Sequence, residues 1–265
     1  DFATNLLTGP YKGSGLANAF KGALNKKEGE HFFTEINKYF PSYESPAQFV
    51  SAPVYVDSKL YGVLVFQIPV AKINHIMTGN QKWKEQGQGN SGETYIIGKD
   101  KSMKSLSRFL AEDEKGFFTT MKDLGVVQED LDYMKAKKTS AVVAKIETSG
   151  AEKVINGEKG FAIFPDYRGV NVLSAFKPLH IPGLEWFVLS EMDEDEALSS
   201  VYYMQKVIFA LVAFAMFINF LMSFFFSGSI SKQLVTLSTK LQHAAESLMS
   251  ASKGVSLGAS DLSAS

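Results

Sequence analysis

The 265-residue chain contains no cysteine, which excludes disulfides, thiolate nucleophiles and cysteine-ligated metals. Histidine is scarce. His31, His75, His180 and His243 stand alone, without an H-x-x-x-H spacing or a neighbouring carboxylate motif, so neither zinc chemistry nor a catalytic triad is indicated. An excess of one charge is also missing: 27 Lys and Arg meet 28 Asp and Glu, for a net charge of -1. A nucleic-acid partner needs a concentrated basic face, and this balance argues against one. The chain opens at Asp1 without an initiating Met, shows no signal peptide or first membrane segment, and stops at Ser265 in mid-pattern. It is expected to be a fragment truncated at both ends.

What the chain does have is a twenty-residue apolar run, Val207 to Phe226, interrupted only by Asn219 and Ser223. As a helix it spans about 30 Å, the thickness of a bilayer's hydrocarbon core. The alternative is a buried core helix, but such helices seldom run this far without a charge. The two polar residues can bond to the helix backbone or to a neighbouring helix. Tyr202 and Tyr203 sit where an interfacial belt belongs, and Lys232, Lys240 and Lys253 follow the run while Lys206 alone precedes it closely. The lysine excess orients the C-terminal part to the cytoplasm and the large N-terminal part outside. Beyond the run, Ile230, Leu234, Leu237, Leu241, Ala244, Leu248, Ala251, Val255, Gly258 and Leu262 alternate at spacings of four and three. This is the seam pattern of a coiled coil; a membrane-proximal linker is the alternative.

Before the run the periodicity is mixed. A helix is expected around Leu16–Leu24, then two strands, Gln48–Val56 and Leu60–Ile68, joined by the turn at Asp57-Ser-Lys59. Residues 69–86 read as a helix, with Val70, Ile73, Ile76 and Met77 on one face. Strands are then expected at Gly92–Gly98 and Ser102–Ser107, a helical stretch at Arg108–Lys138, and closing strands at Gly160–Pro165, Asn171–Pro178 and Glu185–Met192. From Asp193 an acidic first turn suits a helix start, and the helix is expected to continue unbroken into the apolar run.

Candidate chemistry is sparse. Gly87-Gln-Gly-Asn-Ser-Gly92 spells G-x-G-x-x-G, but it follows a helix and opens a strand, the reverse of a dinucleotide loop. Asp193-Glu-Asp-Glu196 cannot converge on one metal ion without side chains from elsewhere. Glu93 and Arg168 either brace the second set of strands as an ion pair or line a pocket. No catalytic constellation, metal site or cofactor site is present, and an enzyme is not expected.

Residues 1–200 resemble a double Cache sensor domain of a bacterial methyl-accepting chemotaxis receptor. The resemblance rests on Asp1-Phe-Ala-Thr-Asn-Leu with Gly9-Pro-Tyr11, Pro46-Ala-Gln-Phe-Val-Ser-Ala-Pro53, Gly62-Val-Leu-Val-Phe-Gln-Ile-Pro69 and Gly89-Asn-Ser-Gly-Glu-Thr-Tyr95. It continues through Ser105-Leu-Ser-Arg-Phe109, Asp166-Tyr-Arg-Gly169 and the stretch from Val172 through Trp186 to Ala197. It implies an α+β fold: two PAS-like antiparallel-sheet modules, a membrane-distal one at 1–80 without its first helix and strand and a membrane-proximal one at 85–195. A transmembrane helix at 207–226 and the start of a cytoplasmic signalling coiled coil at 228–265 complete the expected order. It implies a small extracytoplasmic ligand between the distal sheet and its loops, walled by Tyr43, Phe49, Ser51 and Gln67, although each of these can equally serve core packing or loop bracing. Gln67 stands where the amino-acid-binding subgroup carries an aspartate for the ligand's ammonium, and a neutral amide offers no charge partner. Lys104 and Leu106 depart from the family's arginine and aspartate. The heptads run on without a HAMP-type break, with Gln233 at a position where a HAMP helix often has proline, and Glu246 lacks the paired setting of a methylation site. The implied partners are the membrane, a second copy in a homodimer, and a histidine kinase with its coupling protein. The implied location is a bacterial inner membrane with the sensor periplasmic. The same sensor on a membrane histidine kinase or nucleotide cyclase is the alternative.

Overall fold

The structure, a computed structural model, describes residues 4–262. The first residues of the Asp1-Phe-Ala stretch and the last three of the 228–265 segment lie outside the described residues. The chain divides into two compact units, Asp1–Ser199 and Ser200–Ser265.

The first unit is α+β, built on two four-stranded antiparallel sheets. In the first sheet the long hairpin of β3 (Ser45–Val56) and β4 (Lys59–Pro69) is the backbone of the layer. Its two-residue loop, Asp57 and Ser58, has both residues in the left-handed region (φ 49° and 61°), the geometry whose twist matches that of the flanking strands. One edge of β3 is covered in succession by β1 (Phe32–Phe33) and β2 (Asn37–Tyr39), the other by β4. Alternation then sorts the faces. Ala47, Phe49, Ser51 and Pro53 are buried beneath α1 (Gly15–Leu24), while Leu64 and Phe66 on the opposite face are exposed.

Helix α1 starts where the Ser14 hydroxyl accepts the Ala17 N–H. It approaches the sheet on its smallest residues. Ala17, Ala19 and Ala23 are fully buried, and a Cβ at Gly22 would stand 2.3 Å from the Phe32 ring. Helix α2 (Val70–Met77) follows β4 directly. It is shorter than the helix expected over 69–86, because Thr78 caps it and Gly79 and Asn80 take positive φ.

The second sheet has the order β5-β8-β7-β6, with β5 at Glu93–Gly98, β6 at Gly160–Pro165, β7 at Asn171–Ile181 and β8 at Leu184–Asp193. The strand expected at Ser102–Ser107 does not form. This segment makes only isolated bridges, Ile97 to Met103 and Ser102 to Lys145, because its serine hydroxyls bind locally. Ser102 Oγ bonds to Asp100, and Ser107 caps α3 by accepting the Phe109 and Leu110 N–H groups. The helical stretch expected from Arg108 resolves into α3 (Arg108–Glu112), α4 (Glu114–Asp123) and α5 (Gln128–Lys137). A further helix, α6 (Ser149–Ile155), capped by Thr148, packs its Gly150 against the Phe164 ring. Nineteen buried residues, including Tyr95, Met103, Met134, Ile146 and Leu189, form the core between sheet and helices.

The two sheets share a smaller core made by Ile36, Val70, Ile96, Ala141, Leu184 and Trp186, and the Trp186 Nε1–H donates to Glu35 Oε2 at 2.9 Å. After β8 a short helix, α7 (Glu194–Ala197), ends at Leu198, and α8 runs from Ser199 to Leu262. The expected continuous helix from Asp193 is therefore interrupted by one residue, where the Leu198 N–H folds back on Glu194 and Glu196 carbonyls. Helix α8 holds one segment long and apolar enough to cross a membrane, with mean hydropathy 2.4 and none of that window buried. Asn219 satisfies itself within the helix, donating to the Ala215 carbonyl at 2.8 Å.

Candidate functional site

Two polar arrangements stand out in the first unit. The first surrounds the four expected ligand-wall residues. Phe49 is buried and packs edge-on against Tyr39, 4.9 Å between ring centroids. Ser51, two residues along the same face, donates its hydroxyl to the Ala19 carbonyl at 2.7 Å. Both therefore hold α1 on the sheet. Gln67 faces Phe49 across the hairpin but is exposed, and its Nε2 lies 3.4 Å from Ser42 Oγ. Tyr43 is 86% exposed on the loop that follows Ser42, at a positive φ of 54°. The structure thus brings Gln67 and the Tyr43 loop to one end of the hairpin, and places Phe49 and Ser51 in the interior beneath. The neighbouring Glu44 carbonyl accepts the Tyr133 hydroxyl of α5 at 2.7 Å, so this loop is tied directly to the layer of the second sheet. The nearby groove of about 630 Å³ beside α1 is lined by Asn18, Lys21, Phe32, Glu35 and Asn37 among others, and by none of the four.

The second arrangement lies at one end of the second sheet, and only part of it is legible in the sequence. Glu93 and Arg168 do not turn to one another. Arg168 binds Asp166 and Asp193, each at 2.6 Å, and stacks 3.7 Å over the Phe109 ring. Glu93, buried, accepts the Tyr167 hydroxyl at 2.6 Å and the Arg108 backbone N–H at 2.5 Å. The expected Glu93–Arg168 ion pair does not form; each residue braces the second sheet through other partners. Sequence reasoning missed Glu191 and Arg108. Glu191 sits directly opposite Glu93 across β5 and β8, buried, and accepts the hydroxyls of Tyr95 (2.8 Å) and Ser174 (2.9 Å). Burial pushes both carboxyls upward, Glu191 to about 7, against the opposing pull of their hydroxyl donors. Arg108 is 1% exposed; it donates to the carbonyls of Gly92 (2.5 Å) and Gly89 (3.1 Å), pairs with Glu112 (2.8 Å) and lies over Trp83.

The literal G-x-G-x-x-G stretch therefore has a structural role: it forms a loop held from within by Arg108. The same loop is held from outside by Glu196 of α7. Its carboxylate accepts the Asn90 N–H (2.7 Å), the Ser91 N–H (2.8 Å) and the Ser91 hydroxyl (2.5 Å), bonds that draw its pKa down. The Asp193 N–H adds a bond to Ser91 Oγ at 3.1 Å. The acidic run 193–196 is thus a clasp between the second sheet's first loop and the turn that precedes α8. Among the described residues no group of three His, Asp or Glu is placed to hold a metal ion.

No known family's sequence model matches the chain, and no curated protein matches it. Solved structures with a similar arrangement are ligand-binding domains of chemoreceptors and an extracellular domain assigned to a histidine kinase. The ligand-binding domain of the Pseudomonas fluorescens chemoreceptor CtaA, in complex with L-serine, is 10% identical with a TM-score of 0.41; the match covers 74% of this chain and 64% of that one. That of the Pseudomonas aeruginosa amino acid chemoreceptor PctB, in complex with L-Arg, is 13% identical with a TM-score of 0.42, covering 78% and 65%. The histidine kinase domain is 14% identical with a TM-score of 0.38, covering 65% and 52%. The chain spans less than two thirds of the length of each of these three domains. These are likenesses of general architecture only.

Proposed function

We propose that this chain is the sensor, membrane helix and first cytoplasmic heptads of a transmembrane chemoreceptor. The observation that carries the reading is the order of its parts: a compact two-sheet unit, then a helix with an apolar, wholly unburied membrane-length segment, then heptads on the same helix. In this reading residues 1–80 form a membrane-distal Cache module and 85–195 a membrane-proximal one. A small ligand binds at the end of the distal hairpin, against Gln67 and Tyr43, with Phe49 and Ser51 fixing the floor. The protein sits in a bacterial inner membrane as a homodimer with its sensor in the periplasm. Ligand binding shifts the populations of two sensor arrangements, the membrane helix moves, and the cytoplasmic coiled coil repacks to control a histidine kinase through its coupling protein. The chain itself performs no catalysis.

The Tyr43 loop supports such a route, because one end of it meets Gln67 through Ser42 and the other end holds Tyr133. The Glu196 clasp supports the last step, since it fastens the final turn before α8 to the second sheet's loop. A thermal-shift screen of the full chain in detergent against amino acids, organic acids, amines and purines tests the reading. Stabilisation by one chemical class, reduced in Gln67→Ala, is expected. Stabilisation by none of them, or by a ligand indifferent to Gln67→Ala and Tyr43→Ala, overturns the assigned site.

A further inference from the structure

Glu93 and Glu191 are directly opposed in the β5–β8 ladder, so their side chains share the inner face with Cβ atoms about 5 Å apart. Both are buried, and the oxygen partners of Glu191 are neutral hydroxyls, those of Tyr95 and Ser174. Glu93 has the Tyr167 hydroxyl and one backbone N–H. The charges around the pair do not neutralise it. Arg168, on the β6–β7 turn, is already shared by Asp166 and Asp193, and the Arg108 guanidinium of α3 is spent on loop carbonyls and Glu112. From α6 the sheet meets Gly150, Ala151 and Val154, while Glu152 and Lys153 are exposed. Arg168 makes no ion pair with either carboxylate and only its field reaches Glu93, while buried Asp166 adds a like charge beside Glu191, so the two adjacent buried carboxylates cannot both stay ionised at little cost.

The position of the pair gives that cost a mechanical outlet. Glu93 follows Gly92, whose carbonyl Arg108 grips, and Glu191 lies two residues before Asp193, whose N–H binds Ser91. Repulsion between the two carboxylates therefore acts at the root of the clasp that Glu196 closes on Asn90 and Ser91.

We propose that Glu93 and Glu191 form a protonation switch in the second sheet: with a proton on the pair the clasp is closed, and loss of that proton to bulk water pushes β5 and β8 apart and loosens it. The pair titrates as a unit, and burial places the Glu191 carboxyl at about 7, within reach of ordinary environmental pH. The device is independent of whatever binds the first sheet, so its failure leaves the ligand-sensing reading standing.

The test is hydrogen exchange by mass spectrometry on the full chain in lipid nanodiscs, following the 88–92 segment against β7 as internal control for the intrinsic pH dependence of exchange. Between about pH 6 and about pH 8, protection of the Asn90 and Ser91 amides is expected to fall about tenfold relative to β7, the change corresponding to one pK unit of coupling. Glu191→Gln, neutral at every pH, is expected to stay protected throughout. A wild-type ratio that does not change with pH, or a Glu191→Gln protein that keeps the wild-type response, overturns the proposal. Should Glu191→Gln not fold, Glu93→Gln is read the same way. The wild-type infrared band of a protonated carboxylic acid must also titrate out over the same range, and its absence overturns the proposal.

Discussion

Arg108→Met removes the guanidinium while keeping most of the apolar stem. The wild-type side chain is 1% exposed and binds the carbonyls of Gly92 and Gly89, the carboxylate of Glu112 and the face of Trp83. Each charge-assisted bond to a buried carbonyl contributes about 1.5–3 kcal/mol, and the stacking about 0.5–1 kcal/mol. The Glu112 side chain is 43% exposed and regains water when its partner goes, so that ion pair adds little. With partial rehydration of the loop, the net loss is about 3–5 kcal/mol, in the range seen when one partner of a buried polar network is removed. Against a typical stability of 5–15 kcal/mol, that is a large fraction. The assay is urea unfolding of the sensor unit in the full chain, followed by tryptophan fluorescence; Trp83 lies against Arg108 and reports the site directly. Arg108→Lys is expected to recover little of the loss, because an ammonium cannot reach the same carbonyls in a fixed fork. A loss below about 1 kcal/mol for Arg108→Met, at unchanged m-value, refutes the assigned role.

Other expected outcomes follow from single contacts. Glu191 carries a folded-state pKa of about 7 against an ordinary 4.5, so the folded protein binds more protons between these values and stability falls as pH rises through that window. Melting temperature measured from pH 4.5 to pH 8 should decline with a Glu191 contribution of up to about 3 kcal/mol, and Glu191→Gln should remove that slope. Gly22→Ala drives a methyl to within 2.3 Å of the Phe32 ring, and chemical unfolding should show a loss of about 1–3 kcal/mol. Glu196→Ala opens the clasp, and exchange at Asn90 and Ser91 should rise about tenfold with the β7 amides unchanged. In this cysteine-free chain, Leu241→Cys at a heptad seam position should cross-link to a second copy under mild oxidation, while Lys240→Cys should do so far more slowly.

The elements legible in the sequence are those in which one period runs without interruption. The β3–β4 hairpin shows alternation on both arms and a two-residue polar turn, and its observed bounds differ from the expected ones by three residues or fewer at each end. The closing strands and the membrane-length run are equally plain. The misreadings fall where short-range side-chain chemistry competes with periodicity. Ser102–Ser107 looks extended but spends its hydroxyls on Asp100 and on a helix cap. At Leu198 the backbone bonds back to the α7 carbonyls, and no Pro or Gly marks the interruption. Helix α6 is only 7 residues long, too short for a periodic signal.

The second site was partly signalled. On β8 the inward row Phe187, Leu189, Glu191 is apolar until its last member, and on β5 the row Ile97, Tyr95, Glu93 ends in the same way. A carboxylate at an inward position of each strand marks a buried polar pair. Which residues would meet them, Tyr167 from a turn and Arg108 from a helix start, depends on tertiary contacts between positions that no periodicity links.

The most direct test of the receptor reading joins its two ends. The Leu241→Cys chain in nanodiscs is oxidised with and without a saturating ligand identified by thermal shift, and the rate of intermolecular disulfide formation is measured. The account predicts a change of about fivefold or more, the lower end of ordinary allosteric coupling, and its loss in the Gln67→Ala background. An unchanged cross-linking rate in protein shown to hold the ligand would contradict it.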